Sequence, residues 1–372
     1  MRRASAVIAA ALVGAVSVAL AAQQPRIVNG QVTAAAAGSP FASSFRSLVA
    51  AQPDIAWIGY AVPAIRREGM TLCCFSNGTT YTAGNVVMSG DGWTSGCRIE
   101  PGEARSSTSS RPATGTPGPV KLEGPEALVV MFRVVDRQVE RIRTFSEDCE
   151  LDAGGRPVRW VDGVQPADSI GLLETLTAGA ADRRNRVATG ALAAIAMHAA
   201  SEAGPVLDRL ARTHAAPGLR GEALFWVAQR GEPGADRTIV QGIETDESPE
   251  VRKRGVFALS QLGGDAAVPA LIRIAREGST SAVRGEAIFW LGQKAGQKAA
   301  GEITERIDKD PDTDVKKRAV FALSQLPKDE GIPLLIQVAR TNPNPAVKKQ
   351  AMFWLGQSGD ARAIAFFAEI LK

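Results

Sequence analysis

A chain of 372 residues with 43 Lys and Arg against 39 Asp and Glu carries a formal charge of only +4. The length leaves room for two domains, and so mild and interleaved a charge demands neither a nucleic-acid nor a membrane-surface partner. The first residues read as a signal for export. Arg2 and Arg3 precede an apolar run from Ala6 to Leu20, and Ala19-Leu20-Ala21 offers a small-x-small cleavage site, so residues 1–21 are expected to be removed. The mature protein is then expected to be periplasmic or extracellular and without a membrane span.

Residues 22–162 are expected to form a small α+β or β-rich domain. Ser39-Pro40 can start a short helix carrying Phe41, Phe45, Leu48 and Val49 on one face. Trp57 to Val62 reads as a strand, Ala127 to Val135 and Val139 to Phe145 as a hairpin around Asp136-Arg137-Gln138, and Val158 to Val161 as a further strand. The Ser/Thr/Pro/Gly tract over 103–119 is too poor in apolar residues to fold alone and is expected to be a disordered loop. All four cysteines, Cys73, Cys74, Cys97 and Cys149, fall in this part. In an exported chain they point to two disulfides, with the adjacent pair Cys73 and Cys74 unlikely partners for steric reasons and two connectivities left open. Arg26-Ile27-Val28-Asn29-Gly30 looks like the activation site of a trypsin-type protease, but both histidines, His198 and His214, lie in the C-terminal half, where no such triad can be assembled. Asn77-Gly78-Thr79 fits a glycosylation sequon, a triplet common by chance.

From Pro166 onward the chain repeats. Phe225, Phe257, Phe289, Phe321 and Phe353 stand 32 residues apart. Each is followed four residues later by glutamine (Gln229, Gln261, Gln293, Gln325, Gln357) and preceded six residues earlier by an aliphatic residue (Leu219, Val251, Val283, Val315, Val347). A fixed period of this size means one supersecondary unit stacked on copies of itself. In the third copy Ala266 to Arg276 reads as a first helix, Ser279 to Ala282 as the turn and Val283 to Gln293 as a second helix. Pro166 to Thr177 and Ala188 to His198 fit as a degenerate earlier copy. The second helix is apolar nearly all round, which predicts burial between neighbours, and a small residue at Ala223, Gly255, Ala287, Ala319 and Ala351 allows close approach. A second period is superposed: Trp226, Ala258, Trp290, Ala322 and Trp354 alternate large and small, so the translational unit is 64 residues. The tryptophans are expected to fill core space, and the glutamines to bond backbone between repeats.

Ser248-Pro249-Glu250-Val251-Arg252 leading into Ala258-Leu259, then Leu262-Gly263-Gly264-Asp265, with close echoes from Asp312 to Leu326, resembles the HEAT repeat, in particular the short HEAT-like repeats first noted in phycobilisome lyase subunits. The likeness covers roughly Asp182 to Lys372. It implies a mainly α chain with a right-handed α-solenoid of helical hairpins over 166–372, acting as an interaction surface and bringing no catalytic residues or cofactor. A HEAT-repeat enzyme is the alternative. The deoxyhypusine hydroxylases bind two irons through His-Glu pairs, and neither His198 nor His214 is followed by glutamate.

Basic residues follow each aliphatic marker: Arg220, Arg252, Lys253, Arg254, Arg284, Lys316, Lys317, Arg318, Lys348 and Lys349. Stacked at repeat spacing they form a candidate binding ladder for an anionic partner. The competing expectation is a structural ladder paired with Asp246, Asp310, Asp312 and Asp314. The chain as a whole is expected to be a monomeric, non-enzymatic scaffold for a protein partner, with no cofactor and no nucleic acid.

Overall fold

The structure is a computed structural model that describes residues 24–65, 96–100, 126–179, 185–263 and 267–371. The export signal, the 103–119 loop, the sequon, and Cys73 and Cys74 lie outside the described residues. Among those residues the N-terminal part holds two sheets and one helix, α1 (Phe41–Ala50). The larger sheet runs in the order β2 (Gln31–Ala36), β8 (Pro157–Asp162), β3 (Ile55–Pro63), β5 (Ala127–Val135), β6 (Gln138–Ser146). Strand β8 is parallel to both β2 and β3, and β3-β5-β6 is antiparallel. The smaller sheet is parallel, with β1 (Ile27–Val28) and β4 (Gly96–Arg98) flanking β7 (Glu150–Asp152).

Strand alternation explains why both faces of the larger sheet are apolar. Ile58, Tyr60 and Val62 join Phe132 and Val130 on one face, under Phe41 and Phe45 of α1. Trp57 turns to the other face with Met131, Phe145 and Trp160, against Leu151 and Ala153 of the smaller sheet. The expected α1, β3, β5, β6 and β8 are all present. The β5–β6 turn is made by Asp136 and Arg137 at φ 49° and 61°, the double left-handed turn that suits the twist of a tight hairpin.

Helices α2 to α14 follow as hairpins of a first and a second helix. These are α2 (Pro166–Thr177) with α3 (Arg186–Met197), α4 (Ala203–Thr213) with α5 (Pro217–Arg230), α6 (Ala235–Thr245) with α7 (Pro249–Gln261), α8 (Ala267–Glu277) with α9 (Ser281–Ala295), α10 (Ala300–Lys309) with α11 (Thr313–Ser324), α12 (Lys328–Thr341) with α13 (Pro345–Ser358), and then α14 (Ala361–Ile370). The second helices start at proline or at a side-chain cap. Asp312 of α11, for example, accepts from the N–H groups of Asp314 and Val315. Second helices pack directly on one another from repeat to repeat, whereas first helices touch their counterparts only sparsely. The array therefore curves, with second helices lining its inner, concave edge.

The sheet and the array share one apolar cluster running from Phe41 to Phe366. Helix α3 lies on β6 so closely that a Cβ at Gly190 would meet the Ile142 carbonyl oxygen at 2.5 Å. The first hairpin thus has its inner side covered by the sheet, which explains why its copy of the repeat is degenerate. Ala193 and Ala194 stand where later copies carry Phe and Trp, because a ring there would collide with β-structure. The sheet acts as the terminal cap that stacked repeats need.

Candidate binding face

The five marker phenylalanines and three tryptophans are not enclosed between helices. All are half-buried or exposed along the inner edge, and Phe353 is 52% exposed. Their contacts follow the 64-residue period. Phe225 and Phe257 stack at 5.8 Å and 2°, and Phe289 and Phe321 repeat the arrangement at 5.9 Å and 3°. Tryptophan joins one stacked pair to the next, with Phe257–Trp290 at 5.1 Å and Phe321–Trp354 at 4.9 Å. The core role expected for the tryptophans is thus corrected to a lateral one. Each indole covers the alanine side of its neighbour and leaves its outer face to solvent. Between α7 and α9 the strip opens into a groove of about 420 Å³ lined by Glu250, Lys253, Arg254, Phe257, Glu286 and Trp290, among others.

Charged residues alternate with the same period. Arg254 pairs with Glu222, and Arg318 with Glu286 at 3.6 Å, each linking adjacent second helices. Glycine stands at 221 and 285 because the arginine of the next helix lies across it; a Cβ at Gly285 would meet Arg318 Cδ at 2.4 Å. Trp290 donates through Nε1 to Glu286 at 3.0 Å. The indole N–H of Trp226 and of Trp354 has no partner, since Glu222 is engaged by Arg254 and Gln350 replaces the glutamate in the last repeat.

The basic ladder divides into two kinds of residue. Arg220 clasps Asp246 through Nε and Nη2 at 2.7 and 2.8 Å, and Arg284 clasps Asp310 at 2.8 and 3.0 Å. Burial opposes the charge on Asp246, but the Arg220 bonds and the Ser248 N–H outweigh it and hold its carboxyl below the usual range. These two arginines tie consecutive repeats together. Lys316 donates to the Asp308 carbonyl oxygen and Lys317 to Asp314. Lys253 and Lys349 are exposed, Arg252 and Lys348 partly so.

The glutamine column does not bond between repeats as expected. Gln293, Gln325 and Gln357 are exposed, and Gln261 and Gln325 donate to the adjacent Ser260 and Ser324 hydroxyls. The inter-repeat backbone bonds come from the next position. Arg230 donates to the Ala196 and His198 carbonyls at the end of α3, and Lys294 to the Ser260 and Leu262 carbonyls at the end of α7. A cation at a helix C-terminus satisfies orphan carbonyls and complements the helix dipole.

A buried polar chain joins the sheet to the array. The Tyr60, Ser169 and His198 side chains come from β3, α2 and the end of α3, and all three residues are 0% exposed. His198 Nδ1 lies 2.7 Å from the Ala194 carbonyl, which can only accept, so Nδ1 carries the proton. Neutral Nε2 accepts from Ser169 at 2.8 Å, and the Ser169 oxygen accepts from Tyr60 at 2.7 Å. Burial pushes His198 down to about 4, with the Arg230 charge adding to the effect and the Ala194 bond opposing it. Burial likewise raises the Tyr60 phenol. With every donor and acceptor matched and no access for a substrate, this serine–histidine contact holds structure together.

Cys149 is buried just ahead of β7, and the backbone of Cys97 lies in β4 opposite Leu151 of β7. Among the described residues no group of three or more His, Cys, Asp and Glu stands together as a metal site, and no helix is long and apolar enough to cross a membrane.

This repeat geometry agrees with the family found by comparison: the HEAT repeats match residues 204–292 and 301–372, and that stretch of the chain is built of HEAT repeats. No curated protein matches the sequence. Solved structures with a similar fold include human deoxyhypusine hydroxylase in complex with glycerol (18% identity, 52% of this chain and 74% of that chain, TM-score 0.29). The complex of CpcE and CpcF of phycocyanin lyase from Nostoc sp. PCC7120 is another (20% identity, 42% and 98%, TM-score 0.33). Kap121p is a third (14% identity, 52% and 25%, TM-score 0.34). At these identities the likeness is one of fold.

Proposed function

We propose that this protein is an exported, non-enzymatic scaffold whose inner solenoid face holds a partner protein. The observation that carries the reading is the strip of rings from Phe225 to Trp354, left half-open along the inner edge of second helices. A contiguous apolar strip exposed to water marks a binding surface, because an unliganded one works against solubility. Paired charges beside the rings supply the polar rim typical of such surfaces. Export is supported by Arg2, Arg3, the apolar run and Ala19-Leu20-Ala21. In that compartment Cys149, Cys97, Cys73 and Cys74 form two disulfides that fasten the capping domain.

A photo-crosslinking amino acid placed at Phe353 on the inner face, and separately at exposed Gln337 on α12, tests the reading in cells that make the protein. Adducts to one protein are expected from the Phe353 position and not from Gln337. Adducts from Gln337 alone, or none from either, would refute it.

A further inference from the structure

Through the first two 64-residue units the cations of the inner face are matched by carboxylates. Asp246 and Asp310 hold Arg220 and Arg284, and Glu222 and Glu286 face Arg254 and Arg318. In the last repeat the acids disappear while the cations remain. Asn342 stands one repeat after Asp310, Ala346 where Asp314 stands, and Gln350 where Glu286 stands two repeats before. Lys348 and Lys349 make no ion pair among the described residues, and Lys316 reaches only a backbone carbonyl. The rings are also most open here. Phe353 is the most exposed of the series, and the Trp354 N–H lacks the glutamate that serves Trp290.

We propose that the inner face of α11 and α13 binds an extended acidic segment of a partner protein. Its carboxylates lie over Lys317, Lys348 and Lys349, and its apolar side chains sit on Phe321, Phe353 and Trp354. This rests on the array being a binding surface and adds the chemistry of what it binds. Charge complementarity selects the sign, because a partner carboxylate here replaces the acids that the earlier units supply from within the chain. A single-stranded nucleic acid would also use rings and cations, but Glu286 and Asp314 on the same face repel an unbroken phosphate chain. A peptide can place carboxylates between them.

The test uses the full mature chain and short labelled peptides in which Glu, Gln or Lys alternates with Leu, together with a thymidine oligonucleotide, read by fluorescence anisotropy. The Glu peptide is expected to bind at least about tenfold more tightly than the Gln peptide, to weaken with added salt, and to lose at least about tenfold in the triple variant Lys317→Glu, Lys348→Glu, Lys349→Glu. Circular dichroism should be unchanged, since these lysines project into solvent. Glutamine replacements at the same positions serve if the reversal impairs folding. Equal binding of the Gln peptide, unchanged binding by the lysine variants, or preference for the oligonucleotide overturns the proposal. Binding of the Gln or Lys peptide that Phe353→Ala removes would sink the acidic partner while leaving the binding face standing. Failure of every peptide together with absent crosslinks at Phe353 would sink both.

Discussion

The Tyr60–Ser169–His198 chain makes the junction between sheet and array sensitive to acid, and the magnitude follows from the environment of one imidazole. In the unfolded chain His198 takes up a proton near pH 6.5; in the folded protein burial delays this to about 4. Between those values the unfolded state binds more protons, so stability falls as pH falls. The loss starts near pH 6.5, runs at up to about 1.4 kcal/mol per pH unit and reaches about 3 kcal/mol near pH 4. Physically, a proton on Nε2 would turn an acceptor into a donor facing Ser169. Asp246, Asp312 and Asp360 have lowered values and lose stability only in more acid solution, which leaves the window from pH 6.5 to 4.5 to the histidines. Urea unfolding at steps through that window, compared with a His198→Gln variant that keeps His214, isolates the effect. The wild-type protein is expected to lose about 2.5 kcal/mol more than the variant by pH 4.5. Parallel pH profiles for the two proteins would refute the neutral, closed network.

Trp290→Ala should destabilise by about 2–3 kcal/mol in urea unfolding, below the cost of a fully enclosed tryptophan because one indole face is open; no loss would mean the ring does not bridge Phe257 and Phe289. Arg284→Met leaves the Asp310 carboxylate buried without its partner and should cost roughly 3 kcal/mol, whereas Arg318→Ala, at a more open pair, should cost under about 1 kcal/mol; equal costs would contradict the division of the basic ladder. Denatured, unreduced protein from its native compartment should give no reaction with a thiol reagent, and labelling of any of the four cysteines would count against the disulfides and the export reading.

The array was legible because its signal is local. Helix period, turn residues and the 32-residue ruler all lie within a few dozen residues, and each unit meets chiefly its neighbours. Strands β3, β5, β6 and β8 were legible for the same reason, as apolar runs bounded by turns. Strands β1, β2, β4 and β7 were not. Two or three residues give no period, and the Gln31–Ala36 segment, half alanine, becomes a strand only by pairing with β8 far along the chain. The exposure of the tryptophans was missed because a helix apolar on several sides reads as enclosed, yet the inner edge of a curved array is a surface. The helix wheel had separated the faces: Val251, Gly255 and Leu259 are buried, while Phe257 on another side is half-open. The role given to the glutamines belongs to Arg230 and Lys294. Their signal was visible as two cations 64 residues apart, each just after the glutamine.

That longer period makes a prediction opposite in sign to the usual rule for stacked repeats, in which stability grows with copy number. Deleting residues 234–265 removes one hairpin and brings α5 against α9. Glu222 would then face Glu286, Trp226 would face Trp290, and Arg220 would find Gly278 in place of Asp246. Deleting residues 234–297 removes two hairpins but brings α5 against α11. Glu222 then meets Arg318, Phe225 meets Phe321, and Arg220 meets Asp310, each the counterpart of its present neighbour. The shorter protein should therefore unfold at a higher urea concentration than the one that keeps an extra hairpin. If single-hairpin deletion is the better tolerated, the repeats are interchangeable, and the alternation of charge and ring size along the inner face carries no structural weight.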